Sequence, residues 1–310
     1  MKEIFDLIPE KFFVKDLKQN QLGHIKLAIL RQTTGNLIIR SNYADETITF
    51  NVDGNRDVVE IPARKLKSKE KLLGLKICRE FNVIDPTLRY NVIKDSKQLA
   101  NPNSILFGDS VTESGDAVSL SSRVIYDWAY TIRDVNVLTD TLQHNALSEG
   151  GTMFNEEEGK LRQSLFQVQY IKPGTFFPHF ITLENVSPEL FLHLLFCTLE
   201  QNRYGAQSTT TGANMNNILI GIGYGNFESP LNSYLISKNW KDQEVTLQTV
   251  SQAIEGAMKT AYGKQYQEGT PFVALVKNLW EDADRLQKVY TQAQKDCTDY
   301  LTKLKIITKK

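Results

Sequence analysis

The chain has 310 residues, 41% of them hydrophobic and 23% charged, with a formal net charge of zero. These values exclude wholesale disorder and allow one large folded unit or two ordinary ones. The amino-terminal MKEIFDLIPEKFF lacks the long apolar run of a secretory signal, and the most apolar stretch, residues 190–199, is too short to cross a bilayer.

In chain order, HIKLAILRQ (residues 24–32) alternates Ile25, Leu27 and Ile29 against Lys26, Ala28 and Leu30, the pattern of a strand. A hairpin-like region follows, and EIPARKL then gives a Pro-marked turn into a helix. Leu66, Leu73, Gly74, Ile77, Cys78 and Phe81 fall on one face of that helix, while Lys65, Lys69, Lys76 and Arg79 fall on another. Residues 104–110 (SILFGDS) and 122–132 (SRVIYDWAYTI) are expected as strands. Residues 133–162 show no period and are long for a plain loop, which points to a functional excursion or an extended hairpin. Residues 165–185 give two strands broken at Pro173-Gly174, and Ser187-Pro188 marks a helix start. A Gly/Thr-rich loop then leads to a strand at 218–222. Two amphipathic helices close the chain, one carrying Leu247, Val250, Ile254, Met258 and Ala261 and a longer one running from Phe272 to Leu301. The mixture is that of an α+β protein.

Neutrality conceals two opposite segments. Between residues 64 and 79 stand Arg64, Lys65, Lys67, Lys69, Lys71, Lys76 and Arg79 against the single acid Glu70, a net +6. Between residues 109 and 158 ten acids face only Arg123 and Arg133, a net −8. Such polarity is compatible with copies stacked head to tail, although solvated acidic loops have the same composition. Arg64 and Lys65 stand at a helix start, where the backbone favours an anion and disfavours a cation, a mismatch that a bound phosphate resolves.

Dedicated catalytic signatures are absent: no G-x-x-x-x-G-K-[ST], no G-x-S-x-G and no H-E-x-x-H. GIGYGN at Gly221 lacks the third glycine and the following helix of a dinucleotide fingerprint. Its glycines point to a bulge or a close backbone approach. Asp109, Glu113 and Asp116, or Asp45 with Glu46, are too loosely grouped to define a metal site. The separated Cys78, Cys197 and Cys297 point to reduced thiols of a cytoplasmic protein, with no disulfide frame, zinc site, metal or cofactor expected. Single-stranded nucleic acid uses these residues better. The basic helix offers phosphate contacts, TTTGANMNN offers loop amides, and Met153 and Phe154 offer apolar contact to bases.

The order of IPARKLKSKEKL, LFGDSVTESGDAVSLSSRVIYDWAYT, TLQHNALSEGGTMF, IKPGTFFPHFITLEN and RYGAQSTTTGANM resembles the RAMP superfamily (repeat-associated mysterious proteins), specifically the backbone subunits of CRISPR surveillance complexes and most of all that of the type I-D Cascade. The resemblance spans roughly residues 20–225. It implies an RRM-like (ferredoxin-like) core with insertions, a palm over residues 1–240, a thumb at about 134–168 and a C-terminal helical segment at 241–310. It further implies a non-catalytic subunit that polymerises along CRISPR guide RNA, head to tail, beside other effector subunits, and presents the guide to target DNA or target RNA. By position, Arg64, Lys65, Lys67 and Lys69 match the palm helix. His144, Met153 and Phe154 match the thumb, Arg203, Tyr204, Gln207 and Thr210 match the Gly-rich loop, and Arg31 ends the first strand. Two features depart from the family: Arg64 and Lys65 replace its small residues after the Pro turn, and no RNP aromatics stand on the sheet strands. The competing reading is a metal-dependent endoribonuclease that cuts guide-paired RNA with Asp45. A third, a processing ribonuclease, would need His24, whose place at the head of a strand favours a structural role.

Overall fold

The protein is represented by a computed structural model that describes residues 2–40, 46–90, 92–111, 118–145, 154–155, 159–161, 165–241 and 243–308. Helix α1 (Lys2–Leu7) precedes strand β1 (His24–Thr33). The hairpin β2 (Thr49–Asn51) and β3 (Asp57–Ile61) feeds through Pro62 into helix α2 (Ala63–Glu80). Next come α3 (Pro102–Phe107), the paired β4 (Asp109–Val111) and β5 (Val118–Leu120), β6 (Val124–Tyr126) and β7 (Ala129–Tyr130). The middle of the chain holds α4 (Val135–Leu138), β8 (Thr139–Asn145), β9 (Phe154–Asn155), β10 (Lys160–Leu161), β11 (Leu165–Ile171) and β12 (Phe176–Leu183). After α5 (Pro188–Leu199), α6 (Ser208–Thr211), β13 (Met215–Gly225) and α7 (Ser233–Lys238), the chain finishes with α8 (Leu247–Tyr262), β14 (Tyr266–Glu268), α9 (Thr270–Glu281) and α10 (Ala283–Lys303).

The main sheet is antiparallel in the order β14-β13-β1-β12-β6. Without its insertions the chain reads β1-α2-β6-β12-α5-β13, the βαββαβ succession of an RRM-like core. On one face Leu27 and Ile29 of β1 meet the apolar sides of α2 and α5. On the other, Ala28 and Leu30 join Phe180 under Val250, Ile254 and Met258 of α8. Both faces are therefore covered, which explains why β1 carries almost no solvent-facing polar residue. The same cover rules out base stacking on the sheet face.

Close packing on α2 depends on Gly74: a Cβ there would lie 2.2 Å from Asn103 Oδ1 and 2.8 Å from Cys197 Sγ. Gly221 and Gly223 have a comparable duty, because Cβ atoms there would run into the rings of Tyr266 and Tyr262. The glycines of GIGYGN thus accommodate the chain's own aromatics, beside a β-bulge at Ala28/Ile29.

Three sequence expectations are revised. Of the strand expected over 104–110, residues 104–107 belong to a helix, α3, because Asn101 caps Ser104 N at 2.8 Å and Pro102 takes the first helical position, and only 109–110 are extended. The expected strand 122–132 breaks at Asp127-Trp128: β6 pairs with β12, whereas β7 pairs with β3. The long C-terminal helix stops at Asp282, whose side chain caps Arg285 N at 3.0 Å and starts α10, and the tail also returns β14 to the sheet edge.

Candidate nucleic-acid interface

Helix α2 begins at Pro62 with no side-chain cap and no acid in its first turn. Lys65 N donates to the Pro62 carbonyl at 2.8 Å, and no side chain caps the earlier amides of Ala63 and Arg64, which face a ligand or solvent. Arg64 is exposed and Lys65 and Lys69 are partly exposed. Among the described residues no ion pair or side-chain hydrogen bond holds any of the three. Arg64 and Lys65 open onto a cavity of about 620 Å³ whose wall also includes Arg40, Glu60 and Trp128.

Three other cations of the segment have different duties. Lys67 is half-buried and donates to Ser122 Oγ at 2.6 Å; burial, reinforced by Lys71, pushes its pKa down to about 8. Lys71 pairs with Asp109 and donates to the Gly108 carbonyl at 2.7 Å, and Arg79 donates to the Leu88 carbonyl at 2.9 Å. Glu70, the single acid, is not on the surface at all. It lies fully buried 2.8 Å from Arg31 Nη2.

Arg31 is accordingly corrected from a surface contact to a core residue. Its Nη1 donates to Tyr204 Oη at 3.0 Å and Asn217 Oδ1 at 2.8 Å, and its Nε donates to His179 Nδ1 at 3.2 Å. Burial opposes its charge, but the Glu70 carboxylate outweighs this and raises the pKa. Tyr204 is corrected likewise, being fully buried with its hydroxyl donating to Glu70 Oε1 at 2.8 Å. Tyr126 and Thr198 also donate to Glu70. His179 is driven well below its ordinary pKa by burial and by Arg31. With Nδ1 occupied as acceptor, its Nε2–H donates to the Asp127 carbonyl at 3.0 Å.

The Gly-rich loop and the thumb meet elsewhere. Strands β8 and β11 pair from Thr139↔Ile171 to Asn145↔Leu165, forming the base of the extended hairpin. Asn36, Ile38, Leu142, Val168, Gln207 and Thr210 border a cavity of about 200 Å³ between that base and the loop. Gln207 adopts a left-handed φ of 51°, and its carbonyl accepts from Thr210 Oγ1 at 2.9 Å. The loop is fastened by Ala206 N donating to the Ile38 carbonyl at 2.8 Å. Because Ile38 borders this cavity and Arg40 the larger one, residues 36–40 connect the loop and thumb to the start of α2. Arg203 is exposed. His144 lies on β8 opposite Phe166, and Phe154 lies on β9 opposite Leu161. Met153 and Asp45 lie outside the described residues.

A further cavity, of about 410 Å³, shares Glu60 and Trp128 with the basic one and adds Asp127, Tyr130, Asn232 and Tyr234. Sequence reasoning missed Trp128, which is 47% exposed. A tryptophan one residue after an acid, within an otherwise apolar expected strand, was the available signal. The acids of the 109–158 segment have separate fates: Asp109 is paired, Asp134 caps Asn136 N at 2.9 Å and Asp127 is largely enclosed. His24 is buried with Nε2 3.1 Å from Tyr262 Oη, a structural position. Cys78, Cys197 and Cys297 are all buried free thiols. No described helix is long and apolar enough to cross a membrane.

A family model described as Csc2 Crispr matches residues 12–304. The chain belongs to this Csc2 CRISPR family. No curated protein matches it. The crystal structure of Thermofilum pendens Csc2 is similar over 96% of this chain and 95% of that one, with a TM-score of 0.65 and 13% identity. A chain of a CRISPR RNA-guided surveillance complex, in its pre-nicking state, is similar over 78% of this chain and 89% of its own, with a TM-score of 0.51 and 12% identity. At these identities the likeness is one of fold. Membership of the Csc2 family makes this chain a CRISPR effector subunit.

Proposed function

We propose that this Csc2-family chain is a non-catalytic, guide-RNA-binding backbone subunit of a type I-D effector complex. Copies stack head to tail along CRISPR RNA, beside other subunits, and present the guide to target DNA or target RNA. The observation that carries this reading is the uncapped start of α2 with no acid in its first turn, where Arg64 and Lys65, unpaired among the described residues, stand over a cavity that also receives Arg40. A phosphate placed there meets the side-chain-uncapped amides of Ala63 and Arg64, a favourable helix dipole and side-chain cations together. Residues 36–40 extend this surface to the thumb base and to Gln207 and Thr210, a path suited to a strand longer than one nucleotide. The fold shared with a chain of a CRISPR RNA-guided surveillance complex supports the same partner.

Metal-dependent cleavage draws no support from the described residues. Asp45 lies outside them, and within them no three His, Cys, Asp or Glu side chains gather as a metal site would require. The test is to mix the purified protein with single-stranded RNAs of increasing length and weigh the complexes. The number of bound copies should rise with length while the RNA stays intact in the presence of Mg²⁺. One copy per RNA whatever its length would contradict the backbone role, and cut product lost on Asp45→Ala would contradict the non-catalytic one.

A further inference from the structure

We infer that Trp128 is a nucleobase platform, on which one base of the bound strand stacks with its amino-bearing edge toward Asp127. This rests on the RNA-binding reading above and adds a contact to it. Trp128 is 47% exposed and is common to two cavities of opposite electrical character. On one side stand Arg40, Arg64 and Lys65. On the other stand Asp127, Tyr130, Asn232 and Tyr234, and Glu60 lies between.

A nucleotide has the matching polarity, with an anionic phosphate at one end and an aromatic ring carrying N–H donors at the other. Phosphate is repelled from the carboxylate side and attracted to the cationic side, so the ring is directed across the indole. Asp127 offers a specific acceptor there. Its carboxyl accepts from the Ser233 backbone, but its buried Oδ2 has no hydrogen-bond partner among the described residues, a costly condition for a carboxylate oxygen that a donor from a ligand would relieve. Burial also pushes its pKa up to about 6 against the pull of Lys26. Tyr130 and Tyr234, edge-to-face with Phe50, make the rest of the wall aromatic. The platform is held from behind, because His179 fixes the Asp127 carbonyl immediately before Trp128.

Acceptors facing the base favour cytosine and adenine, which carry an exocyclic amine, over uracil, which does not. Oligocytidine should bind about three- to tenfold more tightly than oligouridine. Asp127→Asn should erase that preference. Trp128→Ala should weaken binding about five- to a hundredfold without changing its salt dependence, and Trp128→Phe should retain most of the affinity. Oligonucleotide should quench the protein's tryptophan emission, and that quenching should vanish in Trp128→Phe although Trp240 and Trp280 remain. Normal affinity in a folded Trp128→Ala protein, quenching that survives Trp128→Phe, or equal affinity for the two homopolymers would overturn the assignment. Intact RNA binding with lost self-association in Trp128→Ala would give the ridge to a protein contact instead. If Arg64 and Lys65 govern the salt dependence while Trp128 is silent, this inference alone fails. If they do not, the RNA-binding reading beneath it fails.

Discussion

Helix α2 carries charge on two sides, and the two sides are built on opposite rules. Inward, Glu70 is locked to Arg31 by complementary charge and surrounded by hydroxyl donors from Tyr126, Thr198 and Tyr204. Outward, Arg64 and Lys65 have no ion pair or side-chain hydrogen bond among the described residues, beside an uncapped helix start. A buried pair of this kind offsets its own desolvation, and its main effect is to fix geometry. An unpaired surface cation contributes little to folding and keeps its charge for a ligand. The comparison teaches that charge density along a sequence says nothing of accessibility. The two sides are nevertheless connected, since Arg31 holds His179 and His179 holds the backbone before Trp128.

The sharpest way to break this contrast is Glu70→Ala, which strands Arg31 without its counter-charge and should cost about 3–5 kcal/mol in urea unfolding. Replacing both partners, Glu70→Ala with Arg31→Met, should recover part of that loss. Gly74→Ala should cost about 1–3 kcal/mol, because its methyl group collides with Asn103 and Cys197 between packed helices. Asp127→Asn should act in the opposite direction. The raised pKa means that the native state binds the Asp127 proton more tightly than the unfolded chain does. Stability from this group is therefore full below the ordinary value of 3.8 and is lost as pH rises through about 6. Asp127→Asn should then be more stable than the parent by about 1–2 kcal/mol at neutral pH, after allowance for residual solvent contact. Thermal melts should show that advantage vanishing in acid. The smallest effect on folding belongs to Arg64→Ala with Lys65→Ala, within about 0.5 kcal/mol of the parent.

The periodic elements were legible because their cause is local. Ile25, Leu27 and Ile29 announce β1, Ser187-Pro188 announces α5, and the spacing of Leu66, Gly74 and Ile77 announces the buried side of α2. Arg31 was expected as an RNA contact, and Glu70 entered only the charge count, because only long-range folding brings the two together, from strand and helix, to satisfy each other. The strand expected from Ser104 is helical to Phe107 because the three-residue apolar run Ile105–Phe107 has no decisive period, and the Asn101-Pro102 cap settles it as a helix. The break at Asp127-Trp128 depends on which strands flank it, a tertiary fact. Among the described residues, the candidate cations Arg64, Lys65 and Lys69 make no ion pair or side-chain hydrogen bond, whereas Lys67 donates to Ser122.

The most direct test of the account is the salt dependence of single-stranded RNA binding by the parent chain and by Arg64→Ala with Lys65→Ala. If each side chain neutralises one phosphate, the slope of log affinity against log salt should fall by about 1.4 in the double variant while its melting midpoint stays put. An unchanged slope, or a parent chain that holds no RNA in modest salt, would contradict the assignment of this face.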